Sequence, residues 1–380
     1  MLERKKINIV NTIFLIALPI VSLISLPIWL KSSSYSFNTV ILAIVFYVLA
    51  QLSITAGYHR YFSHKSYDAH PLVSIFYLCF GAAAFQGTAL KWSQDHRRHH
   101  RFVDDIEKDP YSIKKGFMWA HILWLFYEGD KSYNPEEVPD LVKDKLVMFQ
   151  HKHIIKMSVF FAFVLPMLLG AIWGDALGGL FIAGALRLTI NHHSTFFINS
   201  LAHTLGDQKF SNKHSSRDNF ITAVLTFGEG YHNFHHEFPS DYRNGIRFFD
   251  FDPTKWLIAS LSKLKLASNL KTVDQEVIMK KMAIMAVINF ESQCKAFQLL
   301  SISKDHMIKV ASHLKSDVEK AFSRLKELKR ARIITVSVNE KHQLSKQISK
   351  AKKDFDASCK LLFGMLKRFE NKIEKEEHSY

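Results

Sequence analysis

The sequence predicts an all-α, multi-pass membrane protein with four transmembrane helices, a cytoplasmic histidine-rich domain built for two metal ions, and a helical C-terminal tail. Three observations carry that expectation. Apolar residues make up 48% of the 380 residues, but they concentrate before residue 200, in runs long enough to cross a bilayer. Three clusters of histidine each stand beside a hydrophobic segment. From Val273 onward, apolar residues recur at helical spacing within a stretch rich in Lys, Glu, Ser and Gln. The expected division is a membrane domain, 1–270, and a charged helical extension, 271–380.

Taken in order, Met1–Lys6 is basic apart from Glu3, and the apolar run Ile7–Leu30 follows. It is too long for a secretory signal and lacks a small-residue cleavage site. A second run, Thr39–Gly57, leads straight into His59. The loop between the runs holds one basic residue, Lys31, whereas both flanks are rich in Lys and Arg. By the positive-inside rule the N-terminus and the first histidine cluster are cytoplasmic. Were Pro71–Leu90 to cross the membrane, the second cluster would lie on the opposite side from the first. That stretch is therefore expected in the interface or buried in protein. Met157–Trp173 and Ala176–Ile198 form the second spanning pair, joined by Gly174-Asp175 without positive charge. Both termini then face the cytoplasm, in a bacterial inner membrane or the endoplasmic reticulum. Arg187 falls inside the fourth run, where a charge is expensive. The favoured expectation is that this helix projects from the bilayer, leaving Arg187, Asn191, His192 and His193 wet.

The histidine clusters are His59–His64, His96–His100 and His232–His236. On a helix, positions i, i+3 and i+4 share a face. His96, His99 and His100 are thus expected to point at one centre, and His232, His235 and His236 likewise. His59 and His64, five apart, diverge by roughly 140° on an ideal α-helix and need a helix end or a bend to converge. Eight imidazoles are too many for one ion and suit two. Imidazole binds Zn, Cu, Fe and Ni, so ligand type alone does not name the metal.

The net charge of +15 raises the question of nucleic acid. The basic residues flank apolar segments and no nucleic-acid motif accompanies them, so membrane lipid or an anionic substrate is the expected partner. Cys79, Cys294 and Cys359 are isolated and form neither a disulfide framework nor a zinc ribbon. In the tail, Met307, Ala311, Leu314, Val318, Ala321, Leu325 and Leu328 recur at steps of four and three. Leu344, Ile348, Ala351, Phe355, Leu362, Leu366, Phe369 and Ile373 form a second seam. Two charged helices follow, as a helical hairpin or an oligomeric coiled coil, and the tail reads as an interaction or packing module.

Boxes of the form HX4H, HX2HH and HX2HH on a four-span scaffold resemble those of the membrane acyl-CoA desaturases of the stearoyl-CoA (delta-9) type. The likeness extends to Gly57-Tyr58 before the first box, Trp92-Ser93-Gln94-Asp95 before the second, and Asp109-Pro110. It continues through Lys145–Gln150, Asn199-Ser200-Leu201-Ala202-His203 and Gly228-Glu229-Gly230-Tyr231, covering roughly residues 5–270. The resemblance implies a cis double bond introduced into a saturated fatty acyl-CoA during unsaturated fatty acid biosynthesis, with O2 as co-substrate. It implies two iron ions held by His59, His64, His96, His99, His100, His203, His232, His235 and His236, with Asn199 acting through a water. It places the acyl chain beside Gln86, Trp92 and Thr195, with the tunnel's end near Tyr47 and Gln51. Small residues are common at the position of Gln51, and Glu128 stands where some relatives use a basic residue to hold CoA. The resemblance also implies a separate electron donor of cytochrome b5 or ferredoxin type. A di-iron hydroxylase or an acyl-lipid desaturase shares the metal chemistry; the Asn-Ser-x-x-His element and the HX4H spacing favour the desaturase. A catalytically silent scaffold acting through the tail is opposed by the complete set of nine histidines.

Overall fold

The computed structural model describes residues 6–128, 133–296 and 301–377; the basic segment Met1–Lys5 lies outside the described residues. Among the described residues there are sixteen α-helices. They are α1 Ile9–Leu30, α2 Phe37–Leu52, α3 Pro71–Ala82, α4 Ala89–Arg101, α5 Phe117–His121, α6 Pro139–Val142, α7 Lys145–Val159 and α8 Leu165–Ala171. There follow α9 Ala176–Leu180, α10 Arg187–Ser200, α11 Phe220–Leu225, α12 His232–Glu237, α13 Pro253–Lys263, α14 Gln275–Ala296, α15 Ser301–Ile334 and α16 Val338–Glu377. A two-stranded antiparallel ribbon, Asp68–Ala69 with Ala267–Ser268, ties the segment before α3 to the segment after α13. The chain forms two compact units. The first is Met1–Asp207 with Lys213–Thr272, and the second is Gln208–Asn212 with Val273–Tyr380.

In the first unit three helices are long and apolar enough to cross a membrane: Ile9–Leu30, Phe37–Ser63 and Lys145–Ala171. Helices α9 and α10, joined by the π-helical stretch Phe181–Leu186, continue as one rod from Ala176 to Ser200. The turn before that rod is set by Asp175, which caps α9 through Gly178 N–H at 2.9 Å. The same carboxylate accepts from Trp29 Nε1 at 2.9 Å and Thr39 Oγ1 at 2.5 Å, so it pins the ends of α1 and α2. Helix α3 has 12 residues, about 18 Å, well short of a bilayer core of about 30 Å. It buries Val73, Tyr77 and Leu78 while Leu72 and Ile75 face outward.

Arg187 differs from expectation. It is 2% exposed, and Asn191 and His192 are buried with it. Its guanidinium donates to the carbonyl oxygens of Ala183, Ala83 and Ala162 at 3.0, 2.8 and 3.1 Å. Ala162 and Ala183 both lie in π-helical stretches, Phe160–Val164 and Phe181–Leu186. Such bulges leave carbonyls poorly paired in the helix ladder, and the buried cation supplies them with donors.

The second unit is a three-helix bundle. Helix α14 joins the two expected helices and was not expected from the sequence. Its residues Ala283, Val287, Phe290 and Cys294 share a core with Met307, Ala311 and Val318 of α15 and Phe355, Leu362, Leu366 and Ile373 of α16. In the seam of α15, Met307, Ala311, Val318 and Leu325 are buried and Leu314, Ala321 and Leu328 half-buried, as are Leu344 and Ile348 at the start of α16.

Candidate metal centre and cavity

The first histidine box sits on an 11-residue π-helix, Ser53–Ser63. Here the backbone bonds run i to i+5, as in His64 N–H to His59 O at 3.1 Å. A π-turn therefore stacks residues five apart, and the HX4H spacing, which diverges on an α-helix, converges: the His59 and His64 rings are 4.9 Å apart. The second box rides on α4, whose N-cap Thr88 accepts from Lys91 N–H at 3.0 Å. The third occupies α12. His203 ends the 3-10 turn Leu201–His203 that follows α10.

Nine imidazoles meet in two groups. His59, His64, His96, His100 and His235 form one, and His99, His203, His232 and His236 the other; within each group the facing nitrogens lie within 4.8 Å of one another. This corrects the expectation that each HX2HH box points at one centre. Residues 99 and 100 stand about 100° apart around a helix, whereas 96 and 100 are only about 40° apart. Each box is consequently divided between the two groups, and His235 likewise leaves His232 and His236.

The donor set fits metal ions. Facing Nε2 atoms are 2.8 Å apart for His64 and His96, 2.9 Å for His59 and His235, and 3.0 Å for His235 and His100. In the second group the spacings are 3.1 Å for His203 and His232, 3.0 Å for His232 and His236, and 3.3 Å for His99 and His236. Two imidazole nitrogens each about 2.1 Å from one ion and a right angle apart stand about 3.0 Å from each other. Burial first, and neighbouring positive groups second, hold His64, His96, His100, His232, His235 and His236 well below the ordinary histidine range. His203 is lowered by the same causes. These rings are neutral, the form that offers a lone pair.

A second layer fixes which nitrogen faces inward. Asp109 Oδ1 lies 3.0 Å from His99 Nδ1 and also accepts from Tyr111 N–H. Ser215 donates its hydroxyl to Asp104 at 2.6 Å, so its lone pair receives His203 Nδ1–H at 2.8 Å. Glu229 Oε2 stands 2.8 Å from His59 Nδ1, close but off the N–H direction. At His99 and His203, where Nδ1 is engaged, Nε2 faces the centre. Glu229 is held below the usual carboxylate range despite burial, by His59 and Arg60. Asp104 and Ser215 carry no signal in the sequence that ties them to the histidines, and Asp109 and Glu229 carry one only as parts of motifs.

A cavity of about 300 Å³ opens against the histidines, reaching His59 and His96 of one group and His99 and His232 of the other. Gln86, Trp92, Thr195 and Asn199 line it, with Phe14, Phe85 and Phe196. The first three are linked: Gln86 Nε2 donates to Thr195 Oγ1 at 2.9 Å, and Trp92 Nε1 to Gln86 Oε1 at 3.4 Å. Tyr47 and Gln51 are not among the lining residues. Tyr47 pairs with Ser194 at 3.0 Å and donates to Leu225 O. Gln51 is buried and accepts from Asn191 at 3.2 Å.

Fold and site together define a helical protein with bilayer-length apolar helices and two histidine groups that could each hold a metal ion, beside an apolar cavity. The pattern that describes fatty acid desaturases matches residues 36–264. A probable acyl-CoA desaturase of Schizosaccharomyces pombe is 47% identical over 245 residues, 64% of this chain and 51% of that protein. Acyl-CoA desaturase 1 of Saccharomyces cerevisiae is 43% identical over 63% of this chain and 48% of its own length. Stearoyl-CoA desaturase 5 of Bos taurus is 36% identical, over 63% and 73%. The chain belongs to the fatty acid desaturase family. It spans about half the length of the two yeast relatives, and α14–α16 lie beyond the matched region.

Proposed function

We propose that the protein introduces a cis double bond, at the delta-9 position, into a saturated fatty acyl-CoA with O2 as co-substrate. The observation that carries this is one apolar cavity whose wall is shared by imidazoles of both histidine groups. The names of the relatives support the substrate class. We assign two iron ions to the two groups, with Asn199 contributing through a water. Bound iron with dioxygen supplies the oxidant that an unactivated methylene, with no acidic proton and no leaving group, requires.

The chain's own residues do the rest. Asp109, Glu229 and the Ser215–Asp104 pair orient the imidazoles of His99, His59 and His203. Phe14, Phe85 and Phe196 keep the cavity apolar and dry. The Trp92–Gln86–Thr195 chain fixes the shape of the wall against which the acyl chain lies. Tyr47 and Gln51 are assigned to the far end of the acyl path. Gln51→Ala then shifts the preferred chain length upward; an unchanged length profile removes Gln51 from that role.

The proposed topology has four spans, the α9–α10 rod being the fourth, with both termini and all histidines on the cytoplasmic side of a bacterial inner or endoplasmic reticulum membrane. Electrons come from a separate cytochrome b5 or ferredoxin-type protein, whose acidic face the basic cytoplasmic surface suits. Residues 1–270 form the desaturase domain, and 271–380 an appended helical module that engages a protein partner or a second copy.

Expression in a desaturase-deficient host, with fatty acid profiling and metal counting on the purified chain, tests the proposal. Two irons per chain with new monounsaturated fatty acids support it. Hydroxy acids without alkenes overturn the reaction assigned, and zinc without product overturns the redox chemistry.

A further inference from the structure

The tip of the α15–α16 hairpin is unlike the rest of the bundle. Ile333, Ile334, Val336 and Val338 are 81, 80, 89 and 81% exposed, four aliphatic side chains within six residues. Nothing in the second unit covers them. The helices on either side carry a polarised charge. Residues 321–350 hold eight Lys and Arg against two Asp and Glu, whereas 351–377 hold seven against six. Arg330 and Arg332 before the tip and Lys341 after it are exposed and make no ion pair among the described residues.

We infer that this tip is a membrane-contact element: Ile333, Ile334, Val336 and Val338 enter the interfacial region of an anionic bilayer while the surrounding Arg and Lys meet lipid phosphates. An apolar tip ringed by cations matches the apolar boundary and negative surface of such a leaflet. A soluble partner with an acidic surface would suit the cations but leave the aliphatic cluster facing polar groups. The bundle is covalently joined to a unit holding three helices long and apolar enough to cross a bilayer, which tethers it to a membrane. The inference rests on membrane embedding and not on the chemistry proposed for the histidine pocket.

The test uses the full chain in nanodiscs, with Ile334→Cys carrying an environment-sensitive fluorophore and Ser349→Cys, exposed on α16, as the reference position. The unsubstituted protein sets the background from Cys79, Cys294 and Cys359. In nanodiscs containing phosphatidylserine, the Ile334→Cys label emits at shorter wavelength than the reference and is quenched by lipid-borne nitroxide. Both effects diminish in phosphatidylcholine alone and in the Arg330→Glu/Arg332→Glu variant. An Ile334→Cys label that is as water-exposed as the reference in every lipid overturns the inference. So does a blue-shifted label that lipid nitroxide does not quench and that depends on protein concentration, which would assign the tip to a second copy of the chain.

Discussion

Replacing Asp252 by alanine probes how the fold holds the first histidine box in place. Arg60, next to His59, is 1% exposed, and its guanidinium is shared by Glu229 and Asp252, both buried. Its Nε and Nη2 donate to Glu229 Oε1 at 3.1 and 3.0 Å, and Nη1 and Nη2 to Asp252 at 3.1 and 3.0 Å. Asp252 also accepts from the backbone N–H groups of Asn244, Gly245 and Lys255, the last as N-cap of α13. Removing one partner of a buried ion pair costs about 3–5 kcal/mol; because Glu229 remains, the low end applies. The lost cap adds about 1 kcal/mol, and the orphaned Asn244 and Gly245 amides at least about 1 kcal/mol more. The total is about 5 kcal/mol, which at ~2–3 °C per kcal/mol for a unit of this size lowers Tm by roughly 10–15 °C. All six tryptophans precede residue 273, so tryptophan fluorescence during thermal unfolding reports the first unit alone. Asp252→Asn, which keeps an acceptor but turns an NH2 toward the guanidinium, falls between wild type and alanine. A drop of less than about 3 °C for Asp252→Ala would refute the account of Arg60 as dependent on both carboxylates.

Three further outcomes are expected. Glu229→Gln, which leaves the imidazole of His59 without its carboxylate, weakens metal binding about 10–100-fold in a chelator competition; unchanged affinity would separate Glu229 from the metal site. His232→Ala loses metal and activity together, since it removes a donor of the smaller group, and full activity in that variant would sink the nine-histidine assignment. Thr195→Val takes away the acceptor of Gln86 Nε2 and frees the cavity wall. Product formation should fall about tenfold, the scale of one buried hydrogen bond, while metal content stays constant; loss of metal would show that Thr195 acts on the pocket's integrity instead.

Much of this was legible in the residues because the relevant signals are local. The HX4H and HX2HH spacings name the histidines, and long apolar runs name helices α1, α2 and α7–α8. The seams of α15 and α16 follow from a period of three and four. Helix α14 escaped because its buried stripe, Ala283, Val287, Phe290 and Cys294, is short, contains small residues and lies in an otherwise apolar stretch with little contrast. Arg187 was misjudged because its acceptors are backbone carbonyls, one a turn back on its own rod and two on other segments, and backbone acceptors leave no trace in side-chain chemistry.

The sequence by itself determined that eight boxed histidines form a metal-type set beside apolar helices, since ligand identity and hydrophobic period are properties of neighbouring residues; His203 joined them only through the resemblance to the desaturases. Only the tertiary structure decided how those nine divide. His99 parts from His100, and His235 from His232 and His236, because the rotation of a helix against its partners selects which of two adjacent side chains meets which group. It also decided that Asp109, Glu229 and Ser215 stand behind the ligand rings and that Tyr47 and Gln51 stay off the cavity wall. Those contacts join residues from about 10 to 170 positions apart, and no spacing rule reaches across that distance.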